Sequence, residues 1–246
     1  MPAVNGDDDV ARTPLRPPGG IPQPALGPHA VLVPVKSFAR AKHRLTAALG
    51  DDDRRALVRR MAGHVLRAAA PLPVAVVCDD REVADWARAR GALVLWEPGR
   101  GLNGAVQSGV EQLAELGVRR VVVAHADLPL ARDLGGLVDF DGITLVPDRR
   151  DDGTNVIVVP VDAGFCFSYG PGSFSRHREE AHRLGFDVRV LREPSLSYDI
   201  DWPSDLAGIS SAPPGSSGTG APESGTSGTG PPGSGSGGTG RSAGSP

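Results

Sequence analysis

Cysteine, methionine and aromatic residues are scarce: two Cys, two Met and 4% Phe, Trp and Tyr in 246 residues. Cys78 and Cys166 have no close Cys or His at ligand spacing, which excludes a disulfide framework and a zinc site and leaves two thiols expected in or near the core. An excess of one charge is also missing. The formal net charge is -3 with the signs intermixed, so electrostatics make no case for a nucleic-acid or acidic-membrane partner. No run of about 18 apolar residues exists to span a bilayer. The opening MPAVNGDDDVARTPLRPPGG has acids and prolines where a signal peptide carries basic and then apolar residues, so a cytoplasmic location is expected.

Composition divides what remains into three parts. Residues 1–28 are rich in Pro, Gly and Asp without apolar periodicity. Residues 210–246 are a Gly/Ser/Pro tail with almost nothing to bury, and such a segment is expected to stay disordered because it cannot offset its ordering entropy. The folded domain is expected over 29–209, a length that suits one core. There, short apolar runs at 30–35, 74–78, 92–95 and 120–124 read as buried strands, with further strands at 143–147, 156–160 and 188–191. Between them, 51–70 places Leu57, Met61 and Val65 at four-residue intervals, and 103–116 does the same with Val106, Val110 and Leu113. This alternation predicts a three-layer α/β/α sandwich around a mostly parallel sheet. Ligands of such sheets bind beyond the carboxyl ends of the strands, which directs attention to the residues following each run.

After the first strand, V-P-V-K-S-F-A-R-A-K-H-R-L places Lys36, Arg40, Lys42 and Arg44 on one loop. Clustered cations suit a polyphosphate, although charge alone equally describes a solvated basic loop. The loop has no G-x-x-x-x-G-K-[ST] and is not a P-loop. After the fourth strand, A-H-A-D-L-P-L places Asp127 where the strand ends, and Pro129 stops its continuation. That carboxylate suits either a Mg²⁺ ion or a helix N-cap. In S-Y-D-I-D-W, an extended backbone projects Asp199 and Asp201 to one side, a costly pairing unless a cation lies between them.

Two glycine-bearing segments complete the inventory. D-G-T-N, residues 152–155, leads into a strand and equally describes an ordinary turn. Y-G-P-G-S-F, residues 169–174, runs into a helix-compatible stretch at 175–184. Ser173 is placed as its N-cap, with free backbone N–H groups beyond it that suit a phosphate or carboxylate as well as a plain cap. Asn103 in G-L-N-G either caps the third helix or reads a base edge. His64 falls within a helix and reads as structural, and His125, two residues before Asp127, reads as a supporting residue. His177 and His182 are five apart, off the spacing that shares a helix face. No Ser-His-Asp or Cys-His constellation assembles.

Taken in order, V-P-V-K-x-x-x-R-A-K-x-R-L, A-D-L-P-L, D-G-T-N, Y-G-P-G-S-F and D-I-D resemble the guanylyltransferases of deazaflavin coenzyme F-420 biosynthesis, which act on 2-phospho-L-lactate or phosphoenolpyruvate. The resemblance spans residues 30–209 and implies a fold of the nucleotide-diphospho-sugar transferase type. It implies Thr154, Gly170 and Ser173 as contacts to a small phosphorylated carboxylic acid, Asp127, Asp199 and Asp201 as ligands of Mg²⁺, and Lys36 and Lys42 near the phosphates of GTP. His43 departs from the pattern, where relatives more often carry a small hydroxyl residue, and the tail lies outside it. The Ala-, Arg- and Val-rich usage suits a high-GC bacterium, and the bacterial members of this kind are associated with phosphoenolpyruvate.

Under that resemblance the missing general base is intelligible. A phosphate monoester has its second pKa near 6 and is largely a dianion at pH 7, so it needs no deprotonation to attack the α-phosphorus of GTP. Two rivals stand beside this reading. Asp199-Ile200-Asp201 is also the D-x-D of a nucleotide-sugar glycosyltransferase, and a regulator that only binds nucleotide would keep the same fold.

Overall fold

A computed structural model describes residues 26–207. The expected tail at 210–246, and all but the last three residues of the expected N-terminal segment, lie outside the described residues.

Seven strands form one sheet: β1 (His29–Pro34), β2 (Val74–Cys78), β3 (Leu93–Trp96), β4 (Arg120–Ala124), β5 (Ile143–Pro147), β6 (Thr154–Pro160) and β7 (Val188–Val190). Their spatial order is β3-β2-β1-β4-β6-β5-β7. β1, β2, β3 and β4 are mutually parallel, and β5 and β7 are parallel to each other. β6 alone runs antiparallel to its neighbours β4 and β5. This reversal brings the start of β6 to the edge where the other strands end: Ala124, the last residue of β4, faces Val156 near the beginning of β6.

The strands read as continuous apolar runs because both faces are covered. Alternate residues serve opposite cores. Val31 and Val33 join a cluster with Leu57, Met61 and Val65 of α1 (Asp51–Ala68) and Val83 and Trp86 of α2 (Arg81–Arg88). Ala30 and Leu32 join Val106, Val110 and Leu113 of α3 (Gly101–Glu115) and Phe174 and Ala181 of α4 (Ser173–Arg183). The result is the expected α/β/α sandwich, with the short α5 (Pro194–Ser197) following β7. α2 has no counterpart in the sequence reading. Of the two thiols, Cys78 is buried, where burial pushes its pKa up to about 11, but Cys166 is exposed rather than near the core. No helix among the described residues is long and apolar enough to cross a membrane.

Candidate active site

The carboxyl edge of the sheet collects the candidate residues from four separate chain segments. Lys42 has a left-handed backbone, φ 55 and ψ 43, ahead of a 3-10 turn over His43–Ala47. Its ammonium donates to Asp127 Oδ2 and, at 2.6 Å, to Asp201 Oδ1. Burial works against the Lys42 charge, yet the two carboxylates override it and raise the pKa. For Asp127, burial again opposes ionisation, and the Lys42 ammonium outweighs it to lower the pKa. Asp199 is pushed up to about 6, first by burial and then by the charges of Asp127 and Asp201. Asp127 and Asp201 are therefore drawn together on one ammonium, and Asp199 feels the charge of both.

No α-helix begins at Asp127, so the capping alternative fails. Asp127 Oδ1 is buried without a hydrogen-bond partner, and Asp127 and Asp201 share a single ammonium while Asp199 adds its charge nearby. Such a cluster retains surplus negative charge and an orphaned acceptor, which suits a further cation. Among the described residues no three His, Cys, Asp or Glu side chains form a ready metal cage. Mg²⁺ needs none, since it takes one or two carboxylates and completes its shell with phosphate oxygens and water. The donor set thus fits that ion.

Beside this cluster opens a cleft of about 580 Å³, lined by Lys36, Arg40, Lys42, Arg44, Asp79 and Asp201 among others. Its loop is held from below. Arg54, buried in the first turn of α1, donates to Ala41 O at 2.6 Å, and Phe38 packs edge-on against Trp86 at 5.2 Å. Lys36 and Arg40 remain exposed, so the cations that face the cleft are available to a polyanion. Lys42 is instead committed to the acids.

The D-G-T-N segment is a bracket joining the other site elements. Asp152 Oδ1 accepts from Gly172 N at 3.0 Å, and its carbonyl accepts from Phe174 N at 3.0 Å. Thr154 Oγ1 lies 3.0 Å from His177 Nδ1 on α4, with both residues buried. Asn155 Nδ2 donates to Leu196 O at 3.1 Å, fixing the approach to Asp199 and Asp201. Ile200 is fully buried between those acids, and Asp205 Oδ2 accepts from Asp201 N at 2.9 Å and Trp202 N at 2.8 Å. Trp202 itself stays partly exposed, with the Arg44 guanidinium over its ring at 4.7 Å.

Two expectations change in detail. Gly172, not Ser173, is the N-cap of α4; its φ of 70 favours glycine, and Ser173 is the first helical residue. The N–H groups of Gly172, Ser173 and Phe174 are taken by Asp152 Oδ1, Gly170 O and Asp152 O. Asn103 does not cap α3, whose N-cap is Arg100. Its side-chain oxygen accepts from Tyr169 N at 2.7 Å and its amide donates to Tyr169 O at 3.4 Å, clamping the segment that leads to Gly170. Arg54, Asp152 and His177 were not singled out for these roles in the sequence reading. The Asp-Gly pair and the buried side of α4 were their only local signals.

A family model described as guanylyl transferase CofC like matches residues 29–213. A protein named phosphoenolpyruvate guanylyltransferase from Sphaerobacter thermophilus is 38% identical over 76% of this chain and 95% of its own length. One named 3-phospho-D-glycerate guanylyltransferase from Phenylobacterium zucineum is 31% identical over 75% of this chain and 90% of its own. Among solved structures, a protein from Desulfovibrio desulfuricans described as a nucleotide-diphospho-sugar transferase superposes with a TM-score of 0.60 at 19% identity, covering 74% of this chain and 85% of that one. That last likeness is one of fold and bears out the expected fold type.

Proposed function

This chain belongs to the guanylyl transferase CofC-like family, and on that premise we propose that it transfers the guanylyl group of GTP to phosphoenolpyruvate, forming enolpyruvoyl-2-diphospho-5'-guanosine and diphosphate in coenzyme F-420 biosynthesis. The observation that carries the reading is the convergence of Lys42, Asp127 and Asp201, with the charge of Asp199 beside them, next to a cleft lined by Lys36, Arg40 and Arg44. This is an arrangement for bringing two polyanions together.

The residues divide the work. Lys36 and Arg40 meet the triphosphate and lower the cost of its approach. Lys42 holds Asp127 and Asp201 in register, and the Asp152, Thr154 and Asn155 bracket fixes the Gly170–Ser173 turn and the Asp199–Asp201 segment around the acid substrate. One phosphate oxygen of the acid forms a bond to the α-phosphorus, and the bond from that phosphorus to the bridging oxygen breaks, leaving with its electron pair as diphosphate. The nucleophile is already a dianion, which accords with a site where burial lowers the pKa of the half-buried His125 and the buried His177 and so disfavours their cations. Asp127, Asp199 and Asp201 would hold Mg²⁺, which when bound offsets the phosphate charge and orients the reacting oxygens.

The relative named for 3-phospho-D-glycerate supports a second reading, the same transfer to that acid. Diphosphate release from GTP and Mg²⁺, measured with phosphoenolpyruvate, 2-phospho-L-lactate and 3-phospho-D-glycerate supplied separately, tests both. Release with phosphoenolpyruvate is expected, and Asp127→Asn should abolish it while the far-UV spectrum stays unchanged. Release with another acid alone would replace the substrate. Silence with all three would overturn the transfer.

A further inference from the structure

The sheet edge carries a second acidic position that the transfer does not use. Asp79 directly follows β2, is exposed, and lines both the main cleft and a recess of about 40 Å³ beside it. Its acidic neighbours are all engaged. Asp80 caps α2 by accepting from Val83 N at 3.2 Å. Glu97 accepts from Gln112 Nε2 at 2.6 Å and pairs with Arg100 Nε at 2.7 Å. Asp201 is answered by Lys42. Among the described residues Asp79 has neither an ion pair nor a side-chain hydrogen bond, although it faces a cleft whose other free charges are cationic.

An unpaired carboxylate weakens a cleft built for phosphates, so its place there calls for a ligand that brings N–H donors. Position gives the same answer. β2 is separated from β4 by β1 in the sheet order, which puts the end of β2 about 10 Å from the end of β4 and its Asp127. With the α-phosphate at Asp127, the nucleoside extends across β1 toward β2. The recess there is too small to hold a base, which would lie across its mouth in the main cleft, against the half-buried Leu102. Guanine presents two adjacent donors, N1–H and the N2 amino group, which one carboxylate accepts with its two oxygens. Adenine presents a bare ring-nitrogen acceptor at the equivalent edge, which a carboxylate repels.

We propose that Asp79 selects the nucleotide, accepting both donors of the guanine edge while the cations of the 36–44 loop hold the triphosphate. This rests on the reading of the cleft as a GTP site and names the residue that makes it specific for guanine. The test compares binding of GTP, ITP and XTP, each with Mg²⁺, to the full-length wild type and to Asp79→Asn by titration calorimetry. The wild type should prefer GTP, with ITP weaker because it lacks the N2 amino group. In Asp79→Asn, GTP should lose about 10- to 100-fold in affinity. XTP should gain, because an Asn amide donates to the xanthine O2 and accepts from N1–H. Because Asp79 is exposed and unpartnered, the variant should fold as the wild type does, which circular dichroism checks. An unchanged ratio of GTP to XTP affinity, or an equal loss for all three nucleotides, would overturn the proposal. Should the wild type bind GTP in this Asp79-dependent way yet release diphosphate with none of the acids, the transfer falls and the guanine contact stands. Turnover with an Asp79→Asn enzyme that keeps its nucleotide preference gives the opposite outcome.

Discussion

His177 shows how much of this site depends on a residue with no open surface. Ser168 N donates to its Nε2 at 2.9 Å, so that nitrogen is an acceptor and the ring proton sits on Nδ1, directed at Thr154 Oγ1. Protonating the ring would place a second proton against the Ser168 N–H. Burial, followed by the charges of Arg176 and His125, lowers its pKa from 6.5 to about 4, against a small opposing effect of Glu180. As the pH is lowered through 6.5 the unfolded chain therefore takes up a proton that the folded chain refuses until about 4. The neutral ring's contribution is whole above 6.5 and is lost as pH falls toward 4, amounting to about 3 kcal/mol across that window. Urea midpoints taken near pH 7 and near pH 4.5 should show a steep loss in the wild type and a shallower one in His177→Gln. Parallel losses in the two proteins would show that His177 is not the titrating group. Asp127 lies on the other side of the same logic: its depressed pKa stabilises above the ordinary carboxylate range, so its loss begins at lower pH.

At the scale of elements, α3 illustrates packing overruling propensity. Gly109 lies in mid-helix, where an alanine would gain about 1 kcal/mol of helix propensity. A Cβ there would meet Leu32 Cδ2 at 3.0 Å and Cδ1 at 3.3 Å, and Leu95 Cδ1 at 3.6 Å. Leu32 is fully buried in β1 and has little room to turn away. Overpacking of this kind costs roughly 1–3 kcal/mol, so Gly109→Ala should be destabilising on balance by about 1 kcal/mol. A raised urea midpoint would mean that Leu32 yields more easily than its burial implies. The same contest explains what could be read beforehand. The strands and three long helices announced themselves because apolar runs and four-residue spacing are local properties, and their ends were placed within a few residues. α2 was missed because its eight residues, REVADWAR, give barely two turns of pattern. The reversed direction of β6 has no local signature at all, since it is set by pairing with β4 and β5. For the site, Asp127, Asp199 and Asp201 were legible as acids in telling places, but the ammonium between two of them was not. Lys42 reads as one cation among four until the fold brings it against residues 85 and 159 positions away.

Those separations govern how the whole molecule should respond to its ligands. The cleft and its acids draw on residues from Lys36 to Asp201, nearly the entire described chain: the 36–44 loop supplies the cations, but the acids that answer Lys42 come from distant segments. A ligand that needs all of these groups binds the native state and has nothing comparable to bind in the unfolded one, so its binding free energy adds to the stability of the fold. At a concentration about 100 times its dissociation constant, GTP with Mg²⁺ should contribute about 2.7 kcal/mol. For a domain of this size that corresponds to a rise in Tm of about 5–10 °C. Three comparisons separate the contributions. Without Mg²⁺ the rise should shrink, because the triphosphate then approaches Asp127, Asp199 and Asp201 with no cation to offset the added charge. In Asp127→Asn the rise should become nearly the same with and without Mg²⁺, since the buried acceptor that would share the ion has been replaced by an amide. Raising the salt concentration should diminish what remains in both proteins, because Lys36 and Arg40 are exposed and their attraction for phosphate is screened. A Mg²⁺-dependent rise in Asp127→Asn equal to that of the wild type would remove Asp127 from the ion's ligands, whatever happened to turnover.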